Sequence, residues 1–235
     1  MKIKEMLKKL VYPHSYSSEA YIKYLRRGGV KIGSDCIFYE PTNTKVDKTS
    51  LMFIEIGNKV QITKGVIILG HDYSYSVCAE VLGKLPRKQK LTKIGNNVFI
   101  GMNSIILMGA NIEDNVIIGA GSVVTGHCKT NSVYAGNPAR QICSLEDYCA
   151  RGEAQMVESA RCWAKQFYER KGRLPEVSEM GFYTVLFVDK TDENMEKYFK
   201  NTENTGVIKA IKKMYNSVSE IMEETDNENS SNNAN

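Results

Sequence analysis

Between residues 94 and 124 an isoleucine or valine returns at every sixth position: Ile94, Ile100, Ile106, Ile112, Ile118 and Val124. A helix repeats its buried face near 3.6 residues and a half-buried strand at 2, so neither accounts for a count of six. Four residues after each of these comes a small or β-branched residue: Val98, Ser104, Ala110, Val116, Ser122 and Cys128. Between them lie Gly95-Asn96-Asn97, Gly101, Asn103, Glu113-Asp114-Asn115, Gly119 and Gly121, which accept turn conformations at low cost. Each hexad therefore reads as one short strand and one corner. Three hexads, about 18 residues, make one coil of a parallel β-helix, with large aliphatics stacked in the interior and small residues at the corners.

The same count extends upstream through Ile56, Ile62 and Ile68, with Val60 and Val66 at the fourth following positions, and earlier through Ile32 and Phe38. The prism is expected to begin near Val30, with residues 39–53 as an irregular coil. From Ile68 to Ile94 is 26 residues, which is not a multiple of six, so residues 72–92 are expected to leave the prism as a protruding loop. Long excursions from compact domains are commonly functional.

The flanks carry helix signals. Ser17-Ser18 offers a cap, Ala20 to Arg27 a helix and Gly28-Gly29 a stop. Ser144-Leu145-Glu146-Asp147 resembles a capping box, and from Glu153 to Lys171 the residues Met156, Ala160, Trp163, Ala164 and Phe167 share one helical face, ended by Gly172 and Pro175. That stripe is expected to pack on the prism or its neighbour. Phe182 to Val188 reads as a strand or a buried turn, Thr191 to Lys200 and Gly206 to Glu224 as helices, and Thr225 to Asn235 as disordered. The expected organisation is mainly β: an N-terminal helical segment over 1–28, the β-helix over 29–142, a helical extension over 143–224 and a tail over 225–235.

Composition adds limits. The chain has 235 residues, 42% hydrophobic and 25% charged, with a formal charge of +4, too small to argue for nucleic acid. No apolar run approaches the roughly 18 residues of a transmembrane helix, and the start, Met-Lys-Ile-Lys-Glu-Met-Leu-Lys-Lys, is interrupted by charge where a signal peptide is apolar. A cytoplasmic protein is expected. Six cysteines without a C-x-x-C pair read as free thiols, and no metal site is expected.

With "IGNNVFIG", "IIGAGSVVT", "VYAGNPAR" and "GVIILGHDYSY" in place, residues 28 to 142 resemble the hexapeptide-repeat acyltransferases, whose β-helix is left-handed. They look most like the sugar O-acetyltransferases of bacterial surface polysaccharide assembly, which share a His-Asp-Tyr-Ser turn of this kind. The resemblance implies acetyl transfer from acetyl-CoA in a homotrimer, with each site in the cleft between two prisms and a histidine as general base.

Of three histidines, His71 stands where the loop leaves, whereas His14 and His127 read as surface residues. An imidazole with an ordinary pKa near 6.5 suits proton removal from a sugar hydroxyl. Asp72 is one candidate to orient it. Adjacent residues seldom face each other, so a backbone carbonyl, Glu40 or Asp47 is an equal candidate. Tyr73 and Tyr75 are candidates to stack on a sugar ring, and the basic stretch Lys84 to Lys90 is a candidate contact to an anionic acceptor such as a nucleotide-linked or lipid-linked sugar. For the donor, the resemblance implies Gly101, Met102, Gly119 and Ala120 along the pantetheine arm, Asn137 and Pro138 at the closing turn, and Arg140 or Lys129 on a phosphate. Phe99 stands where relatives often carry tryptophan.

Other readings share parts of this pattern. Amino-sugar N-acetylation and acetylation of a xenobiotic such as chloramphenicol need the same base and donor groove. A γ-type carbonic anhydrase needs three convergent imidazoles on zinc. A purely structural β-helix needs neither histidine nor coenzyme A.

Overall fold

The computed structural model describes residues 2–188 and 213–222. The chain divides into two compact units, Met1–Cys149 and Ala150–Asn235.

The first unit is built from three parallel sheets that the chain visits in rotation, here called faces A, B and C. Four coils are complete among the described residues. Lys31–Ile32, Ile37–Phe38 and Lys45–Val46 form the first, and Ile54–Ile56, Gln61–Ile62 and Ile67–Ile68 the second. Thr92–Ile94, Phe99–Ile100 and Ile105–Ile106 form the third, and Asn111–Ile112, Val116–Ile118 and Val123–Val124 the fourth. Equivalent strands pair in register, which stacks Ile32, Ile56, Ile94, Ile112 and Cys128 on face A. Phe38, Ile62, Ile100, Ile118 and Tyr134 stack on face B. Val46, Ile68, Ile106 and Val124 stack on face C. These side chains make one continuous core, and the small corner residues Val98, Ser104, Ala110, Val116 and Ser122 are buried with them.

The corners explain the polar part of the repeat. At corner AB the backbone is left-handed at Asp35, Lys59, Asn97, Asn115 and Asn131, a conformation that asparagine tolerates better than most residues. The Asn97 side-chain amide donates to Asn115 at 2.9 Å, and Asn115 to Asn131 at 3.0 Å. At corner BC a Cβ added to Gly101 would lie 2.5 Å from the Ala120 nitrogen, so glycine there is a condition of coil stacking.

The structure departs from the sequence expectation at both ends of the prism. Residues 39–53 contain a regular third face, Lys45–Val46, hidden from the hexad count because Val46 follows Phe38 by eight residues instead of six. At the other end Cys128 was expected at a small-residue corner. It occupies the large aliphatic column of face A, because the turn from Val124 is two residues short of a hexad. Burial pushes its thiol up to about 11, as expected of a packing residue and not of a reactive thiolate.

The first coil is closed by helix α2, Ser18–Arg27, which follows helix α1, Lys2–Val11. Ser17 caps α2 by accepting from the Ala20 N–H at 3.2 Å. Tyr21 and Leu25 enter the core, with Tyr21 edge-on to Phe38 at 5.1 Å. At the far end Ser132–Ala135 turns back into Arg140–Ser144, the antiparallel pair of the prism. Such end covers are what a stack of repeats requires, since its terminal coils lack a neighbour.

The expected loop at 72–92 is an ordered arm. His71–Asp72 pairs antiparallel with Lys88–Gln89, and between them runs helix α3, Tyr75–Leu82. After the prism comes helix α4, Leu145–Lys171, which starts at the Ser144-Leu145-Glu146-Asp147 signal, where Ser144 accepts from the Asp147 N–H at 2.9 Å. In the second unit Ala160 and Ala164 pack with Met180, Leu186, Phe187, Tyr215, Val218 and Ile221. The helical stripe thus packs with partners from its own unit. Phe182–Val188 is neither strand nor buried turn throughout: Gly181–Leu186 is a 3-10 helix with Phe182 fully exposed. The helix expected at 191–200 and the tail at 225–235 lie outside the described residues, and of the helix expected at 206–224 the described part, 213–222, is helical only over 218–222.

Ile100 is fully buried in the middle of the face B column, with pairing coils above and below. Ile100→Ala is expected to lower the unfolding free energy by about 2–5 kcal/mol, read from urea denaturation. An unchanged midpoint would contradict the column as the source of stability.

Candidate active site

The arm leaves the prism at corner CA, immediately after the face C strand Ile67–Ile68, and its first side chain is His71. Two residues hold the exit in place. Gly70 is buried, and an added Cβ would lie 2.9 Å from Ser50 Cβ, so the chain passes tightly over the 50–53 turn. Gln89, on the returning strand, donates to the Ser50 hydroxyl at 3.0 Å.

Asp47 follows the face C strand of the first coil, one level from His71. Its carboxylate accepts from the Thr49 N–H at 3.0 Å, the Thr49 hydroxyl at 2.7 Å, the Gly70 N–H at 3.1 Å and His71 Nδ1. The Thr49 hydroxyl also lies 3.2 Å from Nδ1. The Asp47 side chain is 4% exposed and that of His71 23%. Burial alone would raise the Asp47 carboxyl, but the bonds from His71, Thr49 and Gly70 outweigh it and hold the group below its ordinary 3.8. An ionised Asp47 requires the hydrogen on Nδ1, which leaves the Nε2 lone pair of neutral His71 free to accept a proton.

Of the three acids considered from sequence, only Asp47 reaches the imidazole. Asp72 accepts from the Ser74 N–H at 2.8 Å, and Glu40 takes the Asn43 side-chain amide at 2.7 Å. Thr49 and Gly70 were missed. An Asp-x-Thr turn, Asp47-Lys48-Thr49, was the available signal, since Asp commonly bonds the backbone two residues on. Tyr73 lies edge-on to His71 at 6.0 Å and 5.3 Å from Tyr75, over which Arg87 sits at 5.2 Å.

The expected donor residues occupy other corners. Gly101, Met102, Gly119 and Ala120 lie on successive levels of corner BC, with Met102 and Ala120 exposed. The turn containing Asn137 and Pro138 continues that corner, since Val123 N–H donates to Gly136 O and Ala139 N–H to Val123 O. Lys129 stands at corner AB, apart from both groups, and Arg140 borders a cleft with Thr125, His127 and Tyr134. His127 bonds Glu113 at 2.7 Å, and His14 stacks on Tyr24 at 4.8 Å. Among the described residues no three His, Cys, Asp or Glu side chains converge to hold a metal.

A model of the bacterial transferase hexapeptide, six repeats, matches residues 91–126. Protein CapG of Staphylococcus aureus is 39% identical over 147 residues, which cover 63% of this chain and 82% of that protein. The chain belongs to the hexapeptide-repeat acetyltransferases. The galactoside O-acetyltransferase of Escherichia coli K12 is 50% identical over 54 residues, 23% of this chain and 27% of that enzyme. A solved maltose O-acetyltransferase from Clostridium difficile 630 is 30% identical and superposes with a TM-score of 0.39, over 54% of this chain and 75% of that one.

For Asp47, whose carboxyl is depressed in the folded state, the stabilising bonds are fully present above the unfolded value of 3.8 and are lost as pH falls through the folded value. Asp47→Asn is expected to unfold more easily at neutral pH, and its deficit against the parent should shrink below about pH 3.8. A deficit independent of pH would contradict the ionised pairing.

Proposed function

We propose that this acetyltransferase moves an acetyl group from acetyl-CoA to a sugar hydroxyl in surface polysaccharide or lipopolysaccharide assembly, with His71 as general base. The observation that carries the reading is the Asp47–His71 pair, with Nδ1 tied to a buried carboxylate and Nε2 left to accept. A sugar acceptor is supported by the 50% identity to a galactoside O-acetyltransferase. Acetyl-CoA supplies a carbonyl carbon activated by its thioester. Nε2 takes the proton of the acceptor hydroxyl as its oxygen attacks that carbon, and the proton then passes to the departing sulfur. Asp47 stabilises the imidazolium formed in between.

The site in this reading lies between two copies of a homotrimer with a left-handed coil. The base sits at corner CA and the donor residues at corner BC, so one prism does not bring them together by itself. Three features support the assembly. Outward residues on face A are charged or polar, Lys31, Glu55, Lys93, Asn111 and His127, and Lys31 pairs with Glu55 at 2.7 Å. Outward residues on faces B and C include Ile37, Phe99, Ile117, Ile67, Ile105 and Val123, which suits them for cover by a neighbour. Helix α3 leaves Val77, Val81 and Leu82 exposed on the arm. A slender pantetheine fits corner BC because an added Cβ at Gly121 meets nothing within 4 Å beside the exposed Ala120.

His71→Ala is expected to lower kcat by about 10²–10⁴-fold while coenzyme A binding stays near the parent value. His127→Ala, on face A, is the control and should keep most activity. A His71 variant with parental turnover would sink the assignment.

The shared site has its own test. Ala120→Trp, which fills the corner, is expected to weaken donor binding. Mixed oligomers reassembled from equal amounts of His71→Ala and Ala120→Trp subunits should regain activity at about a quarter of the sites, those with one intact edge from each copy. No recovery on mixing would place base and donor in the same prism.

A further inference from the structure

We infer that helix α1 is a peripheral membrane anchor that lies in the surface of an anionic lipid bilayer. The helix covers Lys2–Val11, KIKEMLKKLV, and is strongly amphipathic although its mean hydropathy is below zero. In sequence, apolar residues stand at 3, 6, 7, 10 and 11, the spacing of one helical stripe, and lysines at 2, 4, 8 and 9. A soluble amphipathic helix normally hides its stripe. Here Leu7 is 56% exposed, Leu10 79% and Val11 65%, and Tyr12, just beyond, is 46% exposed. None of the four joins either hydrophobic core. The first prism coil is covered instead by α2, through Tyr21 and Leu25.

Charge decides what covers the stripe. Helix α3 also shows bare valines and leucine, but its sequence, YSVCAEVL, has no basic residue, which suits a protein surface. In α1 the stripe is bordered by lysines, with Lys8 and Lys9 in its last turn and Lys9 4.9 Å above the Tyr16 ring. An apolar face bordered by lysines, on a helix far too short to span, is the arrangement that sinks its aliphatics to the acyl boundary while its cations meet lipid phosphates. A tyrosine at the helix end suits the headgroup level. The connection to α2 is compact: Tyr12 N–H donates to Lys8 O, Ser15 N–H to Tyr12 O, and His14 stacks on Tyr24. This inference concerns a surface apart from His71 and does not rest on the acceptor proposed above.

The test is co-sedimentation of the full chain with vesicles of phosphatidylglycerol and, separately, of phosphatidylcholine alone. Binding is expected to the anionic vesicles, and it should fall as salt is raised. Leu10→Glu should abolish it, and Lys8→Gln with Lys9→Gln should weaken it on the order of 30-fold. Both variants should retain the parental melting temperature and acetyl transfer to a water-soluble acceptor. Failure of the parent to sediment with phosphatidylglycerol vesicles would overturn the inference, as would undiminished sedimentation of Leu10→Glu. A smaller oligomer for Leu10→Glu in light scattering would also overturn it, by assigning the stripe to a second copy of the chain.

Discussion

Everything in the first unit depends on one coil lying in register on the next. Each face pairs its backbone groups with the coils above and below, so a strand is held at both edges by strands from other turns of the same chain. A hexad is the shortest segment that supplies an inward aliphatic, an outward residue, a tight corner and a small buried residue before the next face begins. Backbone pairing then fixes the level of every corner. Side chains far apart in sequence arrive beside each other without any loop having to find its way.

The candidate base illustrates this. Asp47 and His71 are 24 residues apart, yet each follows the face C strand of its own coil, and those strands are in register at Val46 and Ile68. The pair is therefore brought to one level by the stacking of Val46 on Ile68. The arm contributes its direction, through Gly70 passing over the 50–53 turn and the ribbon formed with Lys88–Gln89. A rigid edge delivers the geometry, and the arm projects outward from it.

That division also explains what could be read in advance. The repeat from Ile94 to Val124 was legible because its period matches neither helix nor strand, and the loop exit was legible because the phase breaks after Ile68. The third face of the first coil was not, since an eight-residue step from Phe38 to Val46 looks like noise until the register shows Val46 over Ile68. Cys128 was misplaced for the converse reason: a turn of four residues put a small residue into the aliphatic column, and composition alone favoured a corner. Asp47 could be named but not chosen over Asp72 and Glu40, because the choice rests on which coil lies next to His71. In α4 the stripe was visible and its partner was not, as Met180, Leu186 and Ile221 approach it from distant positions in the chain.

The amide ladder of Asn97, Asn115 and Asn131 has a wider consequence. An amide donates on one side and accepts on the other, so a third or tenth copy fits the end of the row as well as the second did, with no charge accumulating along it. Carboxylates in the same row would repel one another more with each addition. A prism with such a corner can gain or lose a whole coil by duplication or deletion of its coding segment and still close its hydrogen bonds. The length of this scaffold is in that sense an inheritable variable, separable from the chemistry carried at its edges.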